Sequence, residues 1–202
     1  MLAMAAHDSA RAASEETDGL AAEAVRKAAR GDQSAARVFF DHHHRQVHAF
    51  LWRMMSPRAS RAVVEELTQD TFLRAFAALP EFDIAGPARV SSWLLTIATR
   101  VALNELRRLY RKPDATINIE LIGIPGGEAP DEPSQRRALG AIVERALAAL
   151  APDHRAVIVL REYHDRSLEE IASSLEIPVG TVQSRLSRAR AELRTALKGV
   201  ER

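Results

Sequence analysis

The stretch SLEEIASSLEIPVGTVQSRLSRARAEL, residues 167–193, decides the fold of the C-terminal part of this chain. Ser167 is followed three residues later by Glu170, which is the pattern of a capping box at a helix start. Pro178 and Gly180 predict a short turn, after which a second amphipathic helix runs to about Lys198. Two short helices joined by a tight turn, the second one basic, are typical of a helix-turn-helix.

The second of these helices has a polar face that fits a DNA groove. At about 100° per residue, its apolar side chains fall within one narrow sector. Short polar side chains on the other side allow close approach, amide and guanidinium groups read base edges, and flanking arginines hold phosphates. A solvated amphipathic helix is the alternative. The candidate DNA-contacting residues are Thr181, Gln183, Ser184, Arg185, Ser187 and Arg188, and Arg190 flanks the apolar stripe as a further phosphate clamp.

Residues 21–112 also predict a run of helices. Asp32 is a candidate N-cap for a helix through Met54. A second helix covers 63–79 and ends at Pro80, and a third covers 91–112 and ends at Pro113.

The third helix gives a second signal for nucleic acid, independent of the helix-turn-helix. Opposite its apolar face, Trp93 aligns with a row of polar and basic side chains. An exposed tryptophan suits stacking on a base, with cations along the backbone; the alternative is that Trp93 packs back as a core or cap residue. Residues 100–112 and 181–198 each carry five cations and one acid, a net charge of +4 in both segments. The row comprises Trp93, Thr96, Arg100, Asn104, Arg107 and Arg111.

The helix over 63–79 has an outward face of a different character. Its polar residues include three acids, and such a face would repel DNA. It is either solvated surface or a docking site for a basic protein partner. The residues of this acidic row are Glu65, Glu66, Gln69, Asp70 and Arg74.

Between the two helical parts, residues 113–133 contain several prolines, two adjacent glycines and five acids without a base. This composition predicts a linker, although alternating Ile117, Ile119 and Leu121 would also suit a short strand. The fold class is therefore predicted as all-α, with two small helical domains joined by a flexible linker and a helix-turn-helix in the second. The predicted boundaries are a tail over 1–20, a first domain over 21–112, a linker over 113–137 and a second domain over 138–202.

The composition excludes several other classes of function. The chain of 202 residues has no cysteine, which rules out disulfides and thiolate metal sites and fits a reducing cytoplasm. No apolar run approaches the length of a membrane span, so membrane insertion is not expected. His44 and His48 have the spacing of a zinc pair but lack an H-E-x-x-H pattern, so a solvated face is expected there and no metal or cofactor. Without a phosphate loop or a nucleophile elbow, we predict that the chain is not an enzyme.

Three segments together resemble the bacterial sigma-70 family, and most closely its small two-domain group, the extracytoplasmic-function (ECF) sigma factors. They are EELTQDTFLRAFAALPEF (65–82), SSWLLTIATRVALNELRR (91–108) and LAPDHRAVIVLREYHDRSLEEIASSLEIPVGTVQSRLSRARAEL (150–193). The resemblance covers nearly the whole chain. It implies a cytoplasmic bacterial protein whose partners are core RNA polymerase, promoter DNA and a separate anti-sigma protein.

The resemblance also implies a role for each surface. The acidic row, with Arg74, would bind core polymerase, and the linker would thread into the polymerase near the RNA exit path. The second domain would read the promoter −35 element through the six residues of its second helix given above. The loop 82–91 would hold a flipped base. The third helix would recognise and melt the −10 element through Trp93, Thr96, Arg100, Asn104, Arg107, Arg108 and Arg111.

Two positions depart from the family pattern. Gln183 stands where a lysine or arginine is common, and Phe76 where a tryptophan is common. Glutamine favours adenine edges whereas arginine and lysine favour guanine, so Gln183 puts the −35 preference in question. The rival class is a free-standing dimeric helix-turn-helix regulator, which would leave the tryptophan-led row and the acidic row unexplained.

Overall fold

The computed structural model describes residues 23–56, 58–84, 86, 89–111 and 134–198, with residues 134–139 and 198 described by backbone alone. Every element within these ranges is helical, and the predicted all-α class is confirmed. The predicted tail and residues 113–133 of the predicted linker lie outside the described residues. The helices are α1 (residues 23–29), α2 (Gln33–Met55), α3 (Arg61–Ala78), α4 (Val90–Tyr110), α5 (Ser134–Ala149), α6 (Pro152–Ile158), α7 (Leu168–Leu175) and α8 (Val179–Lys198).

Helices α2, α3 and α4 pack on one another and form the N-terminal half of the core. The predicted cap is confirmed, since the Asp32 carboxylate accepts a hydrogen bond from the Ala35 N–H at 3.0 Å. Ser60 caps α3 in the same way through the Val63 N–H at 3.3 Å. A 3₁₀ turn, Leu79–Glu81, ends α3 at the proline that the sequence analysis identified as a helix stop.

Helix α4 is buried on more sides than its apolar stripe predicts. Leu94, Ala98 and Leu106 of the apolar face lie in the core, but Leu95 and Thr99 outside that face are buried as well. The cause is the number of neighbours, because α2, α3, α6 and α7 all pack against α4. A residue on this helix can therefore be polar and still lie away from solvent.

The C-terminal half begins with α5 and α6, continues through one π-helical segment, Val159–Tyr163, and ends in the helix-turn-helix of α7 and α8. Both bonds of the predicted capping box are present: the Glu170 N–H donates to Ser167 Oγ, and the Ser167 N–H donates to Glu170 Oε2. The turn is shorter than predicted. Gly180 lies within the first turn of α8, and Glu176 takes the left-handed conformation at φ 56° that closes α7.

The two halves share one hydrophobic cluster that runs from α2–α4 into α6, α7 and α8. A buried arginine bridges them: Arg155, 1% exposed, donates to the carbonyl oxygens of Met54 at 2.7 Å, Ser56 at 3.1 Å and Ala148 at 2.5 Å. Two of these carbonyls belong to the C-terminal end of α2, where a positive charge also suits the helix dipole.

Of the helices within the described ranges, none is both long enough and apolar enough to cross a membrane.

Candidate nucleic-acid interface

The polar face of α8 points to solvent, as the helical projection predicts. Val182, Leu186 and Ala189 are buried against the rest of the helix-turn-helix. Thr181 is half-buried at the start of the helix. This face is therefore free to approach a ligand while the apolar stripe fixes its orientation. The exposed polar row, called the α8 row below, consists of Gln183, Ser184, Ser187 and Arg188.

The arginines of α8 divide into two kinds. Arg185 is 24% exposed and forms an ion pair with Asp153 of α6 at 3.1 Å. Arg190 forms an ion pair with Glu162 at 2.8 Å. Arg188 makes no ion pair with any residue that the structure describes. Arg185 and Arg190, both expected as phosphate clamps, are thus held against the helices beneath them, and Arg188 is the more available cation.

The basic row of α4 is exposed along its C-terminal half. Arg107 donates to Asn104 Oδ1 at 3.2 Å, and Arg108 pairs with Glu105 at 2.5 Å, so these guanidinium groups are held in place on the helix. Arg111, which caps α4, is also exposed. This half of the row can present positive charge to a phosphate backbone.

Trp93 differs from the expectation of an exposed ring. It is half-buried and packs on Phe82, with ring centroids 4.7 Å apart and planes inclined by 37°. The alternative that Trp93 packs back on its own domain is thus partly realised, and the indole shares one face with the loop that precedes α4. Residues 85, 87 and 88 of that loop lie outside the described ranges.

The N-terminal half of α4 contacts α7 through polar side chains. Ser92 donates to Glu170 Oε1 at 2.7 Å, and Arg100 pairs with Glu176 at 2.5 Å. Thr96, between them, contacts Ser174. Thr96 is therefore half-buried against α7, whereas the side chain of Arg100 remains 55% exposed beside Glu176, and the predicted −10 residues from Asn104 onward, apart from their contacts within α4, face solvent.

The acidic row of α3 is on the surface, as the projection predicts. Glu65, Glu66, Gln69 and Arg74 are exposed, and Asp70 is half-buried in an ion pair with Arg74 at 2.9 Å. Leu73, which the sequence analysis did not select, stands beside this row with 69% of its surface exposed. A bulky apolar side chain surrounded by charged ones is the composition of a protein interface. The signal was available in the sequence, since Leu73 falls outside the apolar stripe.

The histidine-rich stretch of α2 packs with aromatic side chains. The His44 ring stacks on His48 at 5.9 Å and on Phe72 at 6.4 Å. Burial, followed by the charge of His44, lowers the pKa of His48 below its ordinary value. Within the described residues there is no group of three or more His, Asp or Glu side chains arranged to hold a metal ion.

Two family models match the chain in the order of its two halves. Sigma-70 region 2 matches residues 39–112, which contain most of α2 and all of α3 and α4. Sigma-70 region 4 matches residues 141–193, which contain α6, α7 and most of α8. The two matches define the class as a sigma factor of the sigma-70 type with a region 2 and a region 4 surface. A free-standing helix-turn-helix regulator is not favoured, because it would lack region 2.

Relatives identify the group within that class. The chain is 36% identical over 178 residues to the ECF RNA polymerase sigma factor SigL of Mycobacterium tuberculosis, covering 86% of this chain and 95% of SigL. It is 29% identical over 184 residues to the ECF RNA polymerase sigma factor SigW of Bacillus subtilis, with the same two coverages. The chain belongs to the ECF family of RNA polymerase sigma factors.

Solved structures agree with this assignment. The sigma factor RpoE of Bartonella quintana, crystallised with the anti-sigma factor NepR, superposes with a TM-score of 0.62 and 26% identity, covering 80% of this chain and 96% of RpoE. CnrH, solved in complex with the cytosolic domain of CnrY, gives a TM-score of 0.61 and 28% identity, covering 89% of this chain and 98% of CnrH. As a member of the family, the chain directs RNA polymerase to specific promoters.

Proposed function

We propose that three surfaces of this chain have separate roles in promoter-specific initiation. The acidic row of α3 binds core RNA polymerase. Helix α4 recognises and melts the −10 element, and the α8 row reads the −35 element. The polymerase supplies the bond-forming chemistry, and the sigma factor supplies recognition in the bacterial cytoplasm. The observation that carries the proposal is the exposed α8 row, fixed by a capped helix-turn-helix in a chain that also presents the acidic row.

Core binding is assigned to the acidic row together with Leu73. Charged groups at the rim of an interface steer the partner, and an apolar side chain at its centre supplies most of the affinity. Leu73 is exposed and directly precedes Arg74, which forms an ion pair with Asp70 one turn earlier on the helix. The partner that fits is a basic helical surface with an apolar patch. The residues assigned to core binding are Glu65, Glu66, Gln69, Asp70, Leu73 and Arg74.

The −10 assignment rests on aromatic and basic side chains on one helix. The paired rings of Phe82 and Trp93 offer an aromatic platform next to the loop, and bases of a single strand stack on such rings. Beyond this platform, the phosphate backbone of the DNA strand would contact Arg107, Arg108 and Arg111. Melting is favoured because the unpaired base gains a stacking partner.

The −35 assignment rests on the α8 row. Ser184 and Ser187 are short enough to let the helix approach the floor of the major groove, and Gln183 and Arg188 are long enough to reach base edges. Arg185, held by Asp153, is placed to contact a phosphate from the rim of the groove. Gln183 favours adenine at its base pair.

A separate anti-sigma protein is the proposed regulator. The support comes from the RpoE structure, a sigma factor of the same fold solved with its anti-sigma factor.

The assignment is tested by adding the purified chain to core polymerase on fragmented genomic DNA and sequencing the transcript starts. The expected result is a set of starts that share two upstream motifs and require the chain. Arg188→Ala should lower initiation from these starts about fivefold or more, because a base contact is worth about 1–3 kcal/mol, while binding to core polymerase stays unchanged. Arg194→Ala, an exposed arginine of α8 outside the row, is the matched control. Starts that do not depend on the chain, or loss of core binding in Arg188→Ala, would contradict the assignment.

A further inference from the structure

Two arginines of α8 are paired with acids that come from the helical segments beneath it. Asp153 of α6 lies 3.1 Å from Arg185, and Glu162 of the π-helical segment lies 2.8 Å from Arg190. At about 100° per residue, the two arginines flank the apolar stripe of α8 on opposite sides. Both edges of the DNA-facing side of α8 are therefore held by an acid.

A third contact fixes α8 on α6. His154 Nδ1 lies 2.9 Å from Oε1 of Glu192, which is the acid of residues 181–198. The three contact points on α8 are spread over seven residues, or about two helical turns. They set the direction of α8 as well as its distance from α6, so the paired arginines have fixed positions relative to the α8 row.

The paired acids reduce the positive charge that α8 presents to DNA. Residues 181–198 carry a net charge of +4, and adding the single negative charges of Asp153 and Glu162 leaves +2. A carboxylate within ion-pair distance competes with a DNA phosphate for the guanidinium and acts as a built-in counterion. The attraction of this helix to DNA of any sequence is therefore weaker than its own residues indicate.

Stability of the fold does not account for these pairs. The side chains of Arg190 and Glu162 are 54% and 48% exposed, and ion pairs so exposed stabilise a protein little because water and salt screen them. Their main effect is on the charge at the edges of α8. Among the residues that the structure describes, no acid pairs in this way with Arg188, which lies in the α8 row itself.

We propose that Asp153 and Glu162 are specificity-determining residues: they hold and neutralise the arginines at the edges of α8, so that duplex binding depends on the α8 row and not on charge alone. The inference rests on the proposed function for the assignment of that row to the −35 element. Phosphate contacts are the same on every sequence, whereas base contacts differ. The paired acids weaken the former and leave the latter unchanged, which raises the ratio of specific to non-specific binding.

The salt dependence of duplex binding tests the proposal in the full-length chain. The probe is a fluorescent random-sequence duplex pool, titrated at several salt concentrations. Asp153→Asn/Glu162→Gln keeps the shape of both side chains and removes their charge. Each arginine released to a phosphate adds about 0.9 to the slope of log affinity against log salt concentration, so the slope should steepen by about 1.8. Affinity for the pool at low salt should rise several-fold. A damaged fold would change binding in the opposite direction.

Two controls separate the ion pairs from the net charge of the chain. Glu23→Gln removes the same charge from α1, where Glu23 pairs with Arg26 at 2.8 Å, and should leave the slope unchanged. Adding Asp153→Asn to a chain that already carries Arg185→Ala should also change nothing further, because the arginine that the acid holds is gone. An unchanged or shallower slope in the Asp153/Glu162 variant, or an equal increase in either control, would overturn the proposal.

The consequence for promoter choice is measured with core polymerase. Polymerase loaded with the Asp153→Asn/Glu162→Gln chain should start transcription several-fold more often at sites that lack the upstream −35 motif than polymerase loaded with wild type. Equal discrimination by both would overturn the proposal even if the slope steepens. Wild-type chain that gives no promoter-specific transcript would instead refute the proposed function, and the slope measurement, which needs no polymerase, tells the two failures apart.

Discussion

The side chain of Arg155 joins the end of α2 to the helices that follow the linker. Its guanidinium is buried, and burial, the largest influence, lowers its pKa to about 10, so the group is charged at neutral pH. Three backbone carbonyls, two of them near the C-terminus of α2, accept its hydrogen bonds. A buried charge with such partners is costly to disrupt because the carbonyls lose their donor without gaining water.

Replacing this residue should therefore lower stability strongly. Arg155→Ala is expected to reduce the free energy of unfolding by about 3 kcal/mol, the size seen when one partner of a buried charged interaction is removed. Arg145→Ala, an exposed arginine with a single bond to the Ala141 carbonyl, should change it by less than about 0.5 kcal/mol. Urea unfolding followed by circular dichroism measures both. Equal effects of the two substitutions would show that the buried bridge contributes little.

Gln183 is the residue on which the −35 preference should depend. Gln183→Arg should change the preferred base at its position from adenine to guanine, with a discrimination of about 1–3 kcal/mol, because a guanidinium forms two bonds with the guanine edge. Thr195→Arg adds the same charge on an exposed part of α8 outside the row and should raise affinity without changing the motif. Sequencing transcript starts from polymerase loaded with each variant gives the two motifs. An unchanged motif in the Gln183 variant would mean that this side chain does not reach a base.

At the scale of the helix, residue patterns predict orientation well and partners poorly. The periodicity of α8 identified its buried and exposed sides correctly because that helix packs against one group of neighbours. In α4 the same reasoning placed Thr96 and Arg100 toward solvent; Arg100 is exposed but pairs with Glu176, and Thr96 is half-buried against Ser174 of α7. Their partners lie 78 and 76 positions away, and a helical period carries no information about so distant a contact.

The turn of the helix-turn-helix also differs from what the residue types predict. Glycine disfavours a helix and favours a left-handed conformation, yet Gly180 is helical and Glu176 takes the left-handed position. Tertiary packing outweighs these preferences, which amount to about 1 kcal/mol for a single residue. The buried Arg166 was missed for a related reason, since the burial of a side chain depends on the neighbouring helices.

The capping box of α7 connects this local structure to the contact with α4. Ser167→Ala removes the bond to the Glu170 N–H and should lower the free energy of unfolding by about 1 kcal/mol. Ser173→Ala, an exposed serine in the middle of α7, is the control. Thermal unfolding measures both variants, and equal effects of the two substitutions would show that the cap does not stabilise the helix.

For the molecule as a whole, the interface between its halves contains both charged and titratable groups. Arg53 lies over the Tyr163 ring at 4.3 Å, and the ring of His164 meets Phe50 edge to face at 5.6 Å. Nε2 of His164 is buried and has no hydrogen-bond partner among the described residues. The interface therefore favours a neutral imidazole, which links its stability to pH.

The direction of that link follows from the pKa of His164. Burial first, and then the charges of Arg53 and Arg166, lower it from 6.5 to about 4, with Asp165 opposing the shift. Above about pH 6.5 the imidazole is neutral in both the folded and the unfolded chain, so its titration does not lower the free energy of unfolding. As the pH falls below that value, only the unfolded chain binds the proton. The free energy of unfolding should then decrease until the pH approaches the folded pKa of about 4.

The change is large enough to measure in the full-length chain. Between about pH 7 and pH 5 the wild type should lose about 1–2 kcal/mol of stability through this residue. His164→Gln removes the titrating group and should show a smaller loss over the same interval, even if it is less stable at neutral pH. His48 has a lowered pKa in both proteins, so its contribution cancels in the comparison. Urea unfolding at the two pH values gives the difference directly, and an identical pH dependence in wild type and variant would show that His164 is not excluded from protonation by the interface.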